Sequence, residues 1–230
     1  MFIILLNGLT IVLGTLLGYI FRKTLSKEIS ESIIKILGLF TFIMGLKDAL
    51  TFKNGMYVAI YLVIGVVIGE KFDLDGKLKN IGKLLQEKFS KEKEEGGMIK
   101  GFVTSTLIFC VGSMAILGPV KIALNGDGNL IYIKSILDGV MSMMLASTYG
   151  IGVIFSGIIV VLYQGLMFCM GNILKVVTTP EVMGDVTAVG GAILTGLGLT
   201  LIFGEKYLKV TNMLPGMFLP IIFSLIMRLF

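Results

Sequence analysis

Lys134 and Asp138 stand four residues apart in KSILDGVMSMMLASTY (134–149), a segment otherwise built of apolar, small and hydroxyl residues. On a helix that spacing places an ammonium and a carboxylate on one face, where they can pair. A charge at the centre of a membrane-crossing helix costs roughly 2.5–3.5 kcal/mol on insertion scales, so it is expected to face a partner or a polar pathway. At about 100° per residue, Lys134, Asp138, Ser142 and Tyr149 fall within an arc of about 80°. The chemistry open to that face is cation or proton binding at Asp138, with Lys134 as counter-ion or gate. A self-neutralised pair that fixes helix register is the other reading.

Further polar groups line up on other apolar segments. Thr106, Cys110 and Ser113 share a face beside Gly112, whose freed carbonyls could also ligate a solute. Back-bonding of Ser and Thr to their own helix is the alternative. Gln164 lies with Tyr163 and Ser156 on one side of its segment, and a buried glutamine amide needs a partner, either a neighbouring helix or a solute. Asn7 aligns with Gly14 and Gly18, and Thr187 with Gly191, Thr195 and Gly198. Asp185 precedes an apolar run as a helix cap, or else as a second carboxylate for an ion site.

These residues need elements to hold them, and composition says which. Of 230 residues 55% are hydrophobic and 15% charged, with a mean hydropathy of +0.94, the balance of an integral membrane protein. Thirty glycines suit membrane helices, where small residues permit close backbone approach. With no histidine, and with Cys110 and Cys169 both in apolar runs, a disulfide framework or a cysteine–histidine metal site is not expected. No cofactor is expected and the metal question stays open. The chain is not expected to be an enzyme, since the commonest general base is missing and Asp138 with Asp185 is the one pair available for aspartyl chemistry.

Apolar runs near the length of a membrane crossing predict about eight helices, seven being the alternative: 2–21, 33–50, 55–70, 99–120, 130–148, 151–174, 184–204 and 212–229. The fourth is expected to break at Gly112, Gly118 and Pro119. MFIILLNGLT lacks a basic leader and a cleavage site, so it reads as the first span. Basic residues concentrate in the first connection (Arg22, Lys23, Lys27), the third (eight lysines from Lys71 to Lys100) and the seventh (Lys206, Lys209). Against them stand Lys47, Lys53, Lys121, Lys175 and Arg228, which places both termini outside.

The polar stretch EKFDLDGKLKNIGKLLQEKFSKEKEEGG (70–97) carries Leu74, Leu78, Ile81, Leu85 and Phe89 as one stripe, predicting an amphipathic cytoplasmic helix within 71–97. It is either an interfacial connector or a partner-binding segment. Gly69-Glu70-Lys71-Phe72 and Gly204-Glu205-Lys206-Tyr207 match, the trace of a 4+4 repeat or two similar interfacial ends. Gly14-x-x-x-Gly18 and Gly65-x-x-x-Gly69 are close-packing motifs for the bundle or for a homodimer seam.

The phrases FCVGSMAILG (109–118), KSILDGVMSMMLASTYGIGVIFS (134–156), YQG (163–165), DVTAVGG (185–191) and VIGEKFDLDGKL (67–78) resemble a bacterial membrane-protein family known only as a domain of unknown function, which includes YdfK- and YqgA-like proteins. The resemblance covers essentially the whole chain. It implies a multi-spanning inner-membrane protein of transporter type, with no substrate or reaction attached. It also points to Cys110, Gly112, Met114, Lys134, Asp138, Gln164 and Asp185 as motif positions.

The expectation is therefore an all-α bundle, one polytopic domain over 1–230, in the bacterial inner membrane. It would carry a small ion or solute through a midplane site of Asp138, Lys134, Ser142, Gln164, Cys110, Ser113 and Thr106, with Asp185, Thr187, Tyr149 and Asn7 in secondary positions. A non-transporting scaffold or regulator acting through the cytoplasmic segment is the alternative. The partners expected are the lipid bilayer, a small ion or solute and a second copy of the chain, with no nucleic acid.

Overall fold

The computed structural model describes residues 1–22, 24–89, 97–175, 179–204 and 208–227. Lys23, Lys91, Lys93, Lys206, Arg228 and the 205–207 part of the proposed repeat lie outside them. The described residues form eleven α-helices and two 3₁₀ turns: α1 (Phe2–Arg22), α2 (Lys27–Ala49), α3 (Gly55–Lys71), α4 (Leu74–Phe89), α5 (Gly97–Cys110), α6 (Ser113–Asn125), α7 (Asn129–Tyr149), α8 (Ile154–Cys169), α9 (Gly171–Leu174), α10 (Pro180–Phe203) and α11 (Pro215–Met227). The 3₁₀ turns Ile151–Val153 and Val210–Met213 lead into α8 and α11.

Local chemistry sets the helix ends. Ser26, Asn54 and Thr179 accept backbone N–H groups of Ile29, Met56 and Val182 at the starts of α2, α3 and α10, leaving fewer amide donors unpaired there. With Thr179 as the cap and Pro180 next, Asp185 falls inside α10, which corrects its expected capping role. Asp73 takes the left-handed conformation (φ 45°) between α3 and α4, and its carboxylate accepts the Gly76 N–H at 3.2 Å. The chain turns by 53° there.

Among the described residues six helices are long and apolar enough to cross a membrane, and the bent pairs α3–α4 and α5–α6 bring the number to eight if each pair is one span. Close glycine contacts fix how they run. A Cβ at Gly14 would meet Gly139 and Ser142, one at Gly18 would meet Met143, and one at Gly128 would meet Ile3. Numbers rise together, so α1 and α7 are parallel. That direction needs an odd number of crossings between them, which α2, α3 and α5–α6 supply if α5–α6 passes through once and does not return.

The second long seam is antiparallel: Gly45 faces Gly191 and Thr195, and Gly198 faces Gly38 and Phe42, joining α2 to α10. Gly65 against Gly216, and Gly69 against Asn212, join α3 to α11 in the same antiparallel sense. Both sequence-predicted glycine motifs are thus used inside the chain. Leucines 5, 9, 13, 16 and 17 of α1 face outward, as a lipid-contacting surface requires.

The amphipathic helix forms as α4, but its face differs from the expected stripe. Asp75 and Gly82 are buried and Leu78 and Leu85 pack on the main core, whereas Ile81 is exposed and the exposed Phe89 ring leans on Phe155 at 5.2 Å between centroids. Asp75 turns inward because its N–H donates to Asn212 Oδ1 at 2.8 Å and its carboxylate pairs with Lys79 at 2.9 Å. The GEKF match also meets unlike backbone: Gly69 is helical, while Gly204 ends α10 at φ 94°.

Candidate functional site

The charged pair of α7 is buried: Lys134 is 6% exposed and Asp138 5%. Lys134 Nζ donates to Asp138 Oδ1 at 3.0 Å and lies 3.0 Å from Oδ2. Asn7, fully buried on α1, donates through Nδ2 to Asp138 Oδ2 at 3.2 Å. Two helices therefore supply donors to one carboxylate. The parallel glycine seam delivers Asn7 to α7, because Gly14 and Gly18 let the two backbones approach.

Across from the triad the crossing α5–α6 is interrupted. α5 stops at Cys110, Gly112 adopts φ 119°, and α6 restarts at Ser113 after a 57° bend with no side-chain cap. Among the described residues nothing lies within 4 Å of where a Cβ at Gly112 would sit, so backbone conformation and not crowding calls for glycine there. Expected breaks at Gly118 and Pro119 do not occur; both lie within α6, with Gly118 packed on Ile131. Cys110 is within electrostatic reach of Lys134 and Asp138, and Tyr163 of α8 is within reach of Cys110. The break, the α7 pair and α8 form one polar cluster.

Gln164 sits on α8 at 0% exposure, and among the described residues neither its Oε1 nor its Nε2 has a hydrogen-bond partner. Asn7 Oδ1, Thr106 Oγ and Tyr163 Oη are buried and unpartnered in the same sense. Each unmet group costs about 1–3 kcal/mol, so this part of the bundle holds more hydrogen-bonding capacity than its own side chains use.

Not every expected residue joins the cluster. Ser142 donates to Gly139 O at 2.8 Å inside the α1–α7 seam, and Thr187 donates to Met183 O at 2.6 Å, so both hydroxyls bond to their own helices. Ser113 is half-buried at the first position of α6. Tyr149 ends α7 near Arg22, away from the pair. Asp185 feels Lys53 and acts on Tyr61, whereas the charge acting on Asp138 is Lys134, so the two carboxylates do not form a pair.

The Asn7 contact escaped the sequence reading because only the α1–α7 register reveals it. Among the described residues no three His, Cys, Asp or Glu groups gather to hold a metal. A cavity of about 300 Å³ opens not at the triad but at the end carrying Lys100 and Lys209, and its lining reaches Leu107, a little under one helical turn from Cys110.

Helix directions, lipid-facing surface and buried polar cluster define a multi-pass helical membrane protein. The chain belongs to the family described as "Protein of unknown function (DUF554)", whose model matches residues 3–225. It is 30% identical over 225 residues to the "Uncharacterized membrane protein YdfK" of Bacillus subtilis (strain 168), spanning 96% of this chain and 94% of that relative. It is 28% identical over 217 residues to the "Uncharacterized protein YqgA" of Escherichia coli (strain K12), covering 93% and 92%. No solved structure matches it.

Proposed function

We propose that this protein moves a small ion or solute across the bacterial inner membrane, as a transporter or channel, through the cluster around Asp138. The observation that carries the reading is the buried, unpartnered Gln164 amide on α8, a helix that packs against α1 and against both halves of the broken crossing α5–α6. Lys134 occupies the position a bound cation would take at Asp138. A cation or proton that binds the carboxylate releases the ammonium; Asn7 is a neutral ligand already in contact with it, and the unpartnered Thr106, Tyr163 and Gln164 on α5 and α8 are further candidates. A cationic substrate or proton coupling follows from that exchange, and no covalent chemistry is required of the chain.

The orientation belongs to the same proposal. Arg22, Lys71, Lys100 and Lys209 gather at one end, which the excess of basic residues assigns to the cytoplasm, with both termini outside. α4 then lies on the cytoplasmic side, and its packing through Leu78 and Leu85 supports a connector role over partner recruitment. Homodimerisation would use faces other than the two glycine motifs.

The test is flux of protons and of a panel of mono- and divalent cations into proteoliposomes, comparing the parent with Gln164→Leu. Transport by the parent that falls at least about tenfold in Gln164→Leu, while the variant's thermal midpoint holds or rises, supports the reading; the unmet amide is worth about 1–3 kcal/mol when removed. Equal flux in both proteins removes Gln164 from the pathway.

A further inference from the structure

The cavity at the basic end is built differently from the polar cluster and calls for a different ligand. Four lysines, 35, 79, 100 and 209, line it against two acids, Glu31 and Asp75. Lys79 is paired with Asp75 at 2.9 Å and Lys209 with Glu70 at 3.2 Å. Lys35 of α2 and Lys100 of α5 make no ion pair among the described residues, yet separate parts of the chain bring them to one cavity. A concave wall with excess positive charge focuses its field inward and concentrates anions.

Two further features narrow the anion. Thr104 and Thr211 are buried in the lining, and among the described residues their hydroxyls make no hydrogen bond, so donors as well as charge are on offer. On the other side the lining is apolar, with Leu201 and Leu208, and Leu208 and Thr200 are shared with an adjoining groove walled by Leu199 and Phe203. Phe203, the last residue of α10, is 68% exposed. Charge and hydroxyls beside an apolar groove, at the level of the headgroups, match an amphiphile with an anionic head.

We propose that this cavity binds a phosphate group, presented as the headgroup of an anionic phospholipid, through Lys35 and Lys100 with Thr104 and Thr211. The site is separate from the Asp138 cluster and does not depend on transport. It is read by binding alone, so its failure and a failure of flux are distinguishable.

The experiment measures ligand binding to the purified full chain in detergent, using short-chain phosphatidylglycerol against phosphatidylcholine of equal chain length. Sodium phosphate against chloride at matched ionic strength forms the second arm. The parent is expected to prefer phosphatidylglycerol, and Lys35→Gln/Lys100→Gln to bind it about tenfold more weakly, while Lys53→Gln at the opposite end leaves it unchanged. If phosphate alone binds as tightly and shows the same dependence on the two lysines, the phosphate site stands and a soluble source replaces the lipid. Equal affinity for the two lipids, with no phosphate effect, overturns the proposal, as does binding unaltered by the double substitution. Should the double variant lose its monodisperse peak, Thr104→Val/Thr211→Val in the parent background applies the same criterion through the hydroxyls.

Discussion

Asp138 accepts from Lys134 on its own helix and from Asn7 on another, so the carboxylate is neutralised along the helix and positioned across it. Removing one partner of such a pair leaves a buried charge uncompensated and typically costs about 3–5 kcal/mol, whereas replacing both by apolar groups is close to neutral. Lys134→Met should therefore lower the thermal midpoint sharply, and Lys134→Met/Asp138→Leu should recover most of the loss without recovering flux. Thermal unfolding in detergent checks both. A double variant as unstable as the single one would mean that the pair's destabilisation does not come from a stranded carboxylate. The pair was legible in sequence because four-residue spacing is a local property of one helix. Asn7 was read as a secondary position aligned with Gly14 and Gly18, and Ser142 as a ligand, because only contact between α1 and α7 shows which partner each side chain bonds.

At the scale of elements, glycines do two different jobs. Gly18 lies against the backbone of Met143 and has no room for a side chain, while a Cβ at Gly165 on α8 would meet nothing within 4 Å among the described residues. Gly18→Leu should thus destabilise by at least about 1–3 kcal/mol through overpacking. Gly165→Ala should be neutral or gain about 0.5–1 kcal/mol from helix propensity. Paired thermal midpoints of the two variants make the comparison, and similar losses at both sites would contradict the α1–α7 seam. Gly14 and Gly18 were readable as packing residues from their spacing, but their partner helix was not. Breakers were over-read: Gly112, Gly118 and Pro119 looked alike in sequence, and only Gly112 requires a backbone conformation that ends a helix.

For the whole molecule, the parallel α1–α7 and antiparallel α2–α10 seams agree with the proposed orientation, two termini on one side, if α5–α6 passes through once. In a background lacking Cys110 and Cys169, cysteines at Lys53 and Asp127 should react with an impermeant thiol reagent from outside, and one at Asp73 from the cytoplasm. Labelling of 53 and 127 from opposite faces would mean that α5–α6 turns back on itself. The number of spans was legible from hydropathy, yet their neighbours were not, because lipid gives every apolar face the same solvent and leaves pairing to shape. The basic cavity was also missed: Lys35 and Lys100 read as ordinary interfacial charges until folding placed them on one wall.

The central claim, passage through the Asp138 cluster, is tested most directly by cation and proton flux in proteoliposomes bearing the parent or Asp138→Asn, which keeps the side chain's shape and removes its charge. The account predicts measurable flux in the parent and a loss of at least about a hundredfold in a folded, monodisperse Asp138→Asn protein. Undiminished flux in that variant would contradict it, placing the pathway elsewhere and leaving the buried pair a register lock between helices.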